Sequence, residues 1–132
     1  MRKPISAADA TPIRVAIVTL DNHLAGVVAR ARVRMAASLP GLDLSLHAAS
    51  EWASDEGALA RCRSAIDNAD IILCSMLFME EHVAPIIDNL RARRETCDAI
   101  VGCMSIPDVV NLTRLGRYRF GEKSGGALSF LK

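Results

Sequence analysis

The residues able to do chemistry gather in three short stretches: TLDNH (Thr19–His23), SMLFMEEH (Ser75–His82) and GCMS (Gly102–Ser105). Each follows an apolar run that reads as a strand, and doubly wound sheets bind ligands at the carboxyl ends of their strands. The chemistry on offer is limited. TLDNHLAG has no GxGxxG pattern and no GxxxxGK[ST] occurs anywhere, so neither a dinucleotide site nor a P-loop is supported. Asp21 and Asn22 read first as caps of the helix that follows. Glu80 and Glu81 are adjacent, so on a helix they point in different directions and make no ready acid/base pair. The helix dipole alone accounts for them. His23 and His82 have no partner at metal-ligand spacing. Cys103 has no neighbouring base, and neither it nor Ser105 sits in a nucleophile elbow. The distinctive stretch is Met76-Leu77-Phe78-Met79, four large apolar residues directly after a strand. Something must cover them: the domain's own core, a flat apolar ligand or a neighbouring domain.

The elements that position these stretches follow from periodicity. IRVAIVTL (13–20) and ADIILCS (69–75) are nearly continuous apolar runs, the pattern of strands buried on both faces. DAIVGCM (98–104) is a third run of that kind, and LDLSLHA (42–48) alternates, as expected at a sheet edge. Leu24, Val27, Val28 and Ala31 recur at helical spacing, with Arg30, Arg32 and Arg34 largely off the stripe. Pro40-Gly41 ends that helix. Ser54 is the expected cap of a second helix carrying Leu59, Cys62 and Ile66. Val83, Ile86, Ile87 and Leu90 mark a third, which Pro85 must kink or delay. Ser105 is the expected cap of a fourth, with Pro107 in its first turn and Ile106, Val109, Val110 and Thr113 on one face. The order β-α-β-α-β-α-β-α predicts an α/β fold: a four-stranded parallel sheet, flavodoxin- or Rossmann-like, in the order 2-1-3-4 with helices on both faces. The expected division is a flexible leader over 1–12, an α/β domain over 13–116, and a tail or linker over 117–132. The apolar ending ALSFLK suggests that further domains follow.

In that fold the three stretches converge on one crevice. Its expected ligand or interdomain residues are Asp21, Asn22, Met76, Leu77, Phe78, Met104 and Ser105, with no catalytic residue and no metal ligand in this piece. Arg114, Arg117 and Arg119 are candidates to pair carboxylates of a ligand, or simply form a solvated basic tail.

Composition bounds the partners. A hydrophobic fraction of 51% and a charged fraction of 23% over 132 residues are those of a globular domain. Sixteen basic against 15 acidic residues leave a net charge of +1, and aromatics are 4%, so nothing points to nucleic acid. No apolar run is long enough to span a bilayer, and MRKPISAADATP lacks the apolar core of a signal peptide. Cys62, Cys74, Cys97 and Cys103 form no CxxC pair. They read as reduced, mostly core cysteines of a cytoplasmic protein.

Taken together, VAIVTLDNHLAGVVARAR, PGLDLSLHAASEW, ADIILCSMLFMEEHV, CDAIVGCMS and VVNLTRLGRYRFG resemble the N-terminal region of the large H subunit of magnesium chelatase, in its bacteriochlorophyll-pathway form. The resemblance runs from about Ile13 to the end. It implies a part in inserting Mg²⁺ into protoporphyrin IX, with porphyrin held by the large H component and ATP hydrolysed by partner AAA+ components of the I and D types. It implies a ligase complex of chlorophyll biosynthesis and photosynthesis, in which this piece binds no cofactor itself and contacts the remaining domains of the large component. No individual residue role is implied, and Asn22 stands where TLDGH-like relatives have glycine. The alternative is a non-catalytic docking or small-ligand module of the related cobalt-chelatase type of large component.

Overall fold

The structure is a computed structural model and describes residues 11–120. Residues 1–10 of the expected leader and 121–132 of the expected tail lie outside them. The first half alternates strand and helix: β1 (Ile13–Thr19), α1 (Ala25–Met35), β2 (Leu42–Ala48), α2 (Glu56–Asn68) and β3 (Ile71–Ser75). Then follow α3 (Glu80–Val83), α4 (Ile87–Arg93), β4 (Ala99–Cys103), α5 (Pro107–Val110), β5 (Arg114–Leu115) and β6 (Tyr118–Arg119). One-turn 3₁₀ segments precede α1 and follow β2.

The sheet corrects the expected one. It has six strands rather than four, and its order is β2-β1-β3-β4-β5-β6, in which the expected 2-1-3-4 is continued by two strands beyond β4. β1, β2, β3 and β4 pair in parallel, while β5 and β6 add to β4 as an antiparallel hairpin. Each added strand is two residues long, too short to show alternation. Gly116, at φ +60°, occupies the first position of the two-residue hairpin loop, where glycine is preferred. β6 falls beyond residue 116, within the stretch expected as tail.

Arg114 fastens this hairpin to the domain. It is buried and donates to the carbonyls of Arg94 (2.5 Å), Cys97 and Gly116 (3.5 Å). Arg119 pairs with Glu95 at 2.6 Å, which draws the Glu95 carboxyl below its usual range. Two of the three arginines considered for ligand carboxylates are therefore engaged with the protein itself. Arg117 is exposed.

Caps and breaks also differ from expectation. Asp55, not Ser54, caps α2 by accepting from the Gly57 N–H at 3.0 Å, an interaction worth about 1 kcal/mol. Pro85 interrupts the third helical stretch, which splits into α3 and α4, because proline lacks the N–H that a continuous helix needs. Ser105 makes no cap hydrogen bond to α5, which begins after Ile106.

Two apolar clusters flank the sheet. The larger joins Ala16, Val18, Ile72, Cys74 and Ile100 to side chains of α2, α3, α4 and α5. The smaller joins Val15, Leu44, Ile17 and Leu73 to Leu24, Val28 and Ala31 of the α1 region. Helices thus lie on both faces but unequally. The β2 edge is partly closed by Arg32, whose Nε and terminal nitrogen donate to the Leu44 carbonyl at 3.0 and 2.5 Å. Such capping blunts an edge that could otherwise pair with another chain.

Candidate functional site

The carboxyl ends of β3 and β4 are shaped by two methionines. Met76 and Met104, each directly after a strand, have φ of +62° and +47°. Left-handed backbone costs a non-glycine residue roughly 1–2 kcal/mol, and such strain persists where the surroundings over-determine it. The consequence here is a change of phase. Along β3, Cys74 faces the larger core and Ser75 the opposite side. Strict alternation would send Leu77 to the α1 side. The left-handed turn at Met76 instead returns Leu77 to the larger core, where it is fully buried. Phe78 and Met79 are then left 53% and 49% exposed, and Met104 66% exposed.

Hydrogen bonds fasten the two strand ends to each other. The Leu77 N–H donates to Ser105 Oγ at 3.1 Å, and Ser105 Oγ donates to the Cys103 carbonyl at 3.0 Å. The Ile106 N–H donates to the Leu77 carbonyl at 2.9 Å. Ser105 is therefore a clasp between loops. Since Ser75 and Cys103 are register partners, Met76 and Met104 follow side by side.

At the end of β1, Asp21 accepts from the His23 N–H at 3.1 Å and contacts the His23 ring nitrogen Nδ1. These hydrogen bonds, the side-chain one foremost, draw the Asp21 carboxyl below its usual range. Asp21 thus caps the turn into α1, and Asn22 is exposed within that turn. Among the described residues no hydrogen bond joins this loop to Met76–Phe78. Of the seven expected residues, the structure brings together Met76, Leu77, Met104 and Ser105, with Phe78 beside them. Asp21 and Asn22 serve the neighbouring helix start. Leu77 is core, not surface.

Sequence reasoning missed Cys103 as a lining residue. Cys62, Cys74 and Cys97 are buried, but Cys103 is exposed and lines an apolar groove of about 320 Å³ with Ile17, Leu24, Val27, Leu73 and Val101. The alternation of Ala99, Val101 and Cys103 against Ile71, Leu73 and Ser75 carried that signal. Burial pushes the Cys62 thiol up to about 12 and raises that of Cys74 as well. Among the described residues no group of three or more His, Cys, Asp or Glu is placed to hold a metal ion. No helix there is long and apolar enough to cross a membrane.

The left-handed methionines give a direct test of stored strain. Met104→Gly is expected to stabilise the chain by about 0.5–1 kcal/mol, because relief of strain outweighs glycine's entropy cost and little packing is lost. Met104→Val should destabilise it, since a β-branched residue tolerates positive φ least. Urea unfolding midpoints of the two variants check this.

These features define a class: a doubly wound α/β domain whose strand-end ledge is apolar and hydrogen-bonded shut. The chain belongs to the family described as a domain of unknown function, DUF3479, whose model matches residues 14–132. It is similar to the magnesium-chelatase H subunit of Cereibacter sphaeroides, with 43% identity over 133 aligned positions covering 100% of this chain and 11% of that protein. It is also similar to the magnesium-chelatase H subunit of Rhodobacter capsulatus, with 36% identity over 118 positions, 89% of this chain and 10% of that protein. The chain therefore spans about a tenth of the length of these relatives.

Proposed function

We propose that this chain is the N-terminal domain of the large, H-type component of a cytoplasmic, ATP-dependent magnesium chelatase, and that it acts there without catalytic groups of its own. In this reading the full complex inserts Mg²⁺, a substrate, into protoporphyrin IX, and partner components of the I and D types hydrolyse ATP. Mg²⁺ surrenders its waters reluctantly and prefers oxygen ligands, and the porphyrin must lose two pyrrole protons. Groups for those tasks would come from other domains. What this domain offers is an apolar ledge.

One observation carries the reading: Phe78, Met79 and Met104 stand exposed on strand ends that Ser105 and two left-handed methionines hold rigidly, in a chain 43% identical throughout to a magnesium-chelatase H subunit. Large apolar side chains on a hydrogen-bonded support suit a flat apolar face, since little backbone ordering remains to be done on binding. The face is a porphyrin or, in a second reading favoured by the same exposure, a neighbouring domain.

A titration of the chain with a soluble porphyrin separates the two. Quenching of Trp52, the single tryptophan, and the porphyrin Soret band are followed together. Saturable one-to-one binding, weakened about tenfold or more by Phe78→Asp and by Met104→Asp, is the expected result. The absence of saturable binding would leave the ledge as an interdomain seam.

A further inference from the structure

On the α1 face of the sheet the side chains form rows that are apolar until the last. Leu46, Ile17, Leu73 and Val101 are successive partners across β2, β1, β3 and β4, and the last three line the groove beside α1. Two residues further along each strand the row changes character. Thr19 pairs with Ala48, and Ser75 with Cys103. Thr19 follows Val18, the partner of Cys74, so it stands beside Ser75 on the neighbouring strand and on the same face. Two hydroxyls and a thiol thus meet at the carboxyl end of the groove, whose lining includes Ser75 and Cys103. Thr19 is 0% exposed, and its hydroxyl has no hydrogen-bond partner among the described residues. A buried hydroxyl left unpaired destabilises a fold and is uncommon. This corner is also the switch point of the sheet. The helix after β1 packs on this face, and the helices after β3 pack on the other. The chain parts there and leaves the crevice in which doubly wound sheets hold ligands.

We propose that the groove beside α1 binds a small uncharged molecule with an apolar body and one hydrogen-bond-accepting oxygen, a ketone being the simplest case. The body lies along Ile17, Leu73 and Val101. The oxygen accepts from the Ser75 hydroxyl, which turns so that its own oxygen accepts from the hydroxyl of Thr19. Binding in this way gives the orphaned donor its partner. The groove sets the remaining properties of the ligand. Among the described residues no charged side chain lines it, so a charged molecule would lose water there without gaining a counter-ion. Its volume of about 320 Å³ is at the small end for ligand pockets. A porphyrin bearing carboxylates meets neither condition. The site therefore differs in chemistry from the strand-end ledge, and it does not rest on the chelatase reading.

The test uses three probes: 1-indanone, its oxygen-free analogue indane, and indane-1-carboxylate. Each is titrated into the 132-residue chain, and the methyl NMR signals of Ile17, Leu73 and Val101 are followed. The ketone is expected to bind saturably and about fivefold or more tighter than indane, the difference that one hydrogen bond makes. The carboxylate should bind more weakly than either. Thr19→Val and Ser75→Ala should each bring the ketone down to the level of indane. Thr19→Val should at the same time raise the urea unfolding midpoint, because it removes a buried hydroxyl that the free domain leaves unpaired. Equal binding of ketone and indane, or no saturable shift at the three residues, would overturn the proposal. So would a ketone preference that survives both variants, or a carboxylate that binds as tightly as the ketone. A lower midpoint for Thr19→Val would overturn it too, by showing that the fold already satisfies that hydroxyl.

Discussion

Gly102→Ala should lower the unfolding free energy by about 2–3 kcal/mol, near the top of the range for overpacking a filled site. In a domain of this size that is a fall in melting temperature of about 7–13 °C. Gly102 lies in β4, on the sheet face against which α5 packs. A methyl group built there would stand 2.5 Å from the Val109 carbonyl oxygen and 2.8 Å from its carbon. Both atoms are backbone, so no side-chain rotation can relieve the clash. α5 would have to move, yet it is held by the bond between Ile106 and Leu77 and by buried Val109. The peptide of Gly102 is also gripped by Thr113, whose hydroxyl accepts from its N–H at 2.9 Å and donates to its carbonyl at 3.2 Å. Gly116→Ala provides the contrast. Nothing lies within 4 Å of a methyl group there, but φ is +60°, so only backbone strain of about 1–2 kcal/mol opposes it. Thermal unfolding of both variants, side by side, distinguishes the steric cost from the conformational one.

How much of this is legible in the sequence depends on length scale. β1, β3 and β4 stand out because strands covered by helices on both faces carry nearly continuous apolar runs, interrupted in β1 only near its start, by Arg14. α2 is marked by Leu59, Cys62 and Ile66. Its cap falls one residue later than expected because Ser54 and Asp55 are both good caps, and only backbone geometry selects between them. The hairpin of β5 and β6 is not legible. Four residues carry no period, and what fixes them is long-range: the guanidinium of Arg114 bonded to carbonyls of Arg94 and Cys97. Arginines in a glycine-containing stretch look like a solvated tail, and nothing local says that one of them is buried. At the strand ends, the sequence points to the right loops, but not to the phase change within them. Methionine has no preference for positive φ, so Met76 gives no sign that it turns the chain and sends Leu77 inward.

That phase change makes the second large prediction, and it divides the stretch Met76-Leu77-Phe78 into two roles. Leu77→Ala should cost about 3–4 kcal/mol, within the range for emptying a fully buried leucine site. Leu77 is 0% exposed and packs in the cluster containing Val83, Ile86 and Val109. Its backbone also carries both bonds that tie β3 to the β4 loop, so the surroundings cannot easily collapse into the space. Phe78→Ala, one residue away, should cost no more than about 0.5 kcal/mol, as expected for a surface position free of special contacts. Denaturant midpoints of the two variants test the difference. Similar losses in both would mean that Phe78 is part of the core and that the ledge is not available to a ligand or a neighbouring domain. A large loss at Leu77 with none at Phe78 leaves an aromatic side chain exposed at no benefit to folding, and binding is then what its apolar surface can serve.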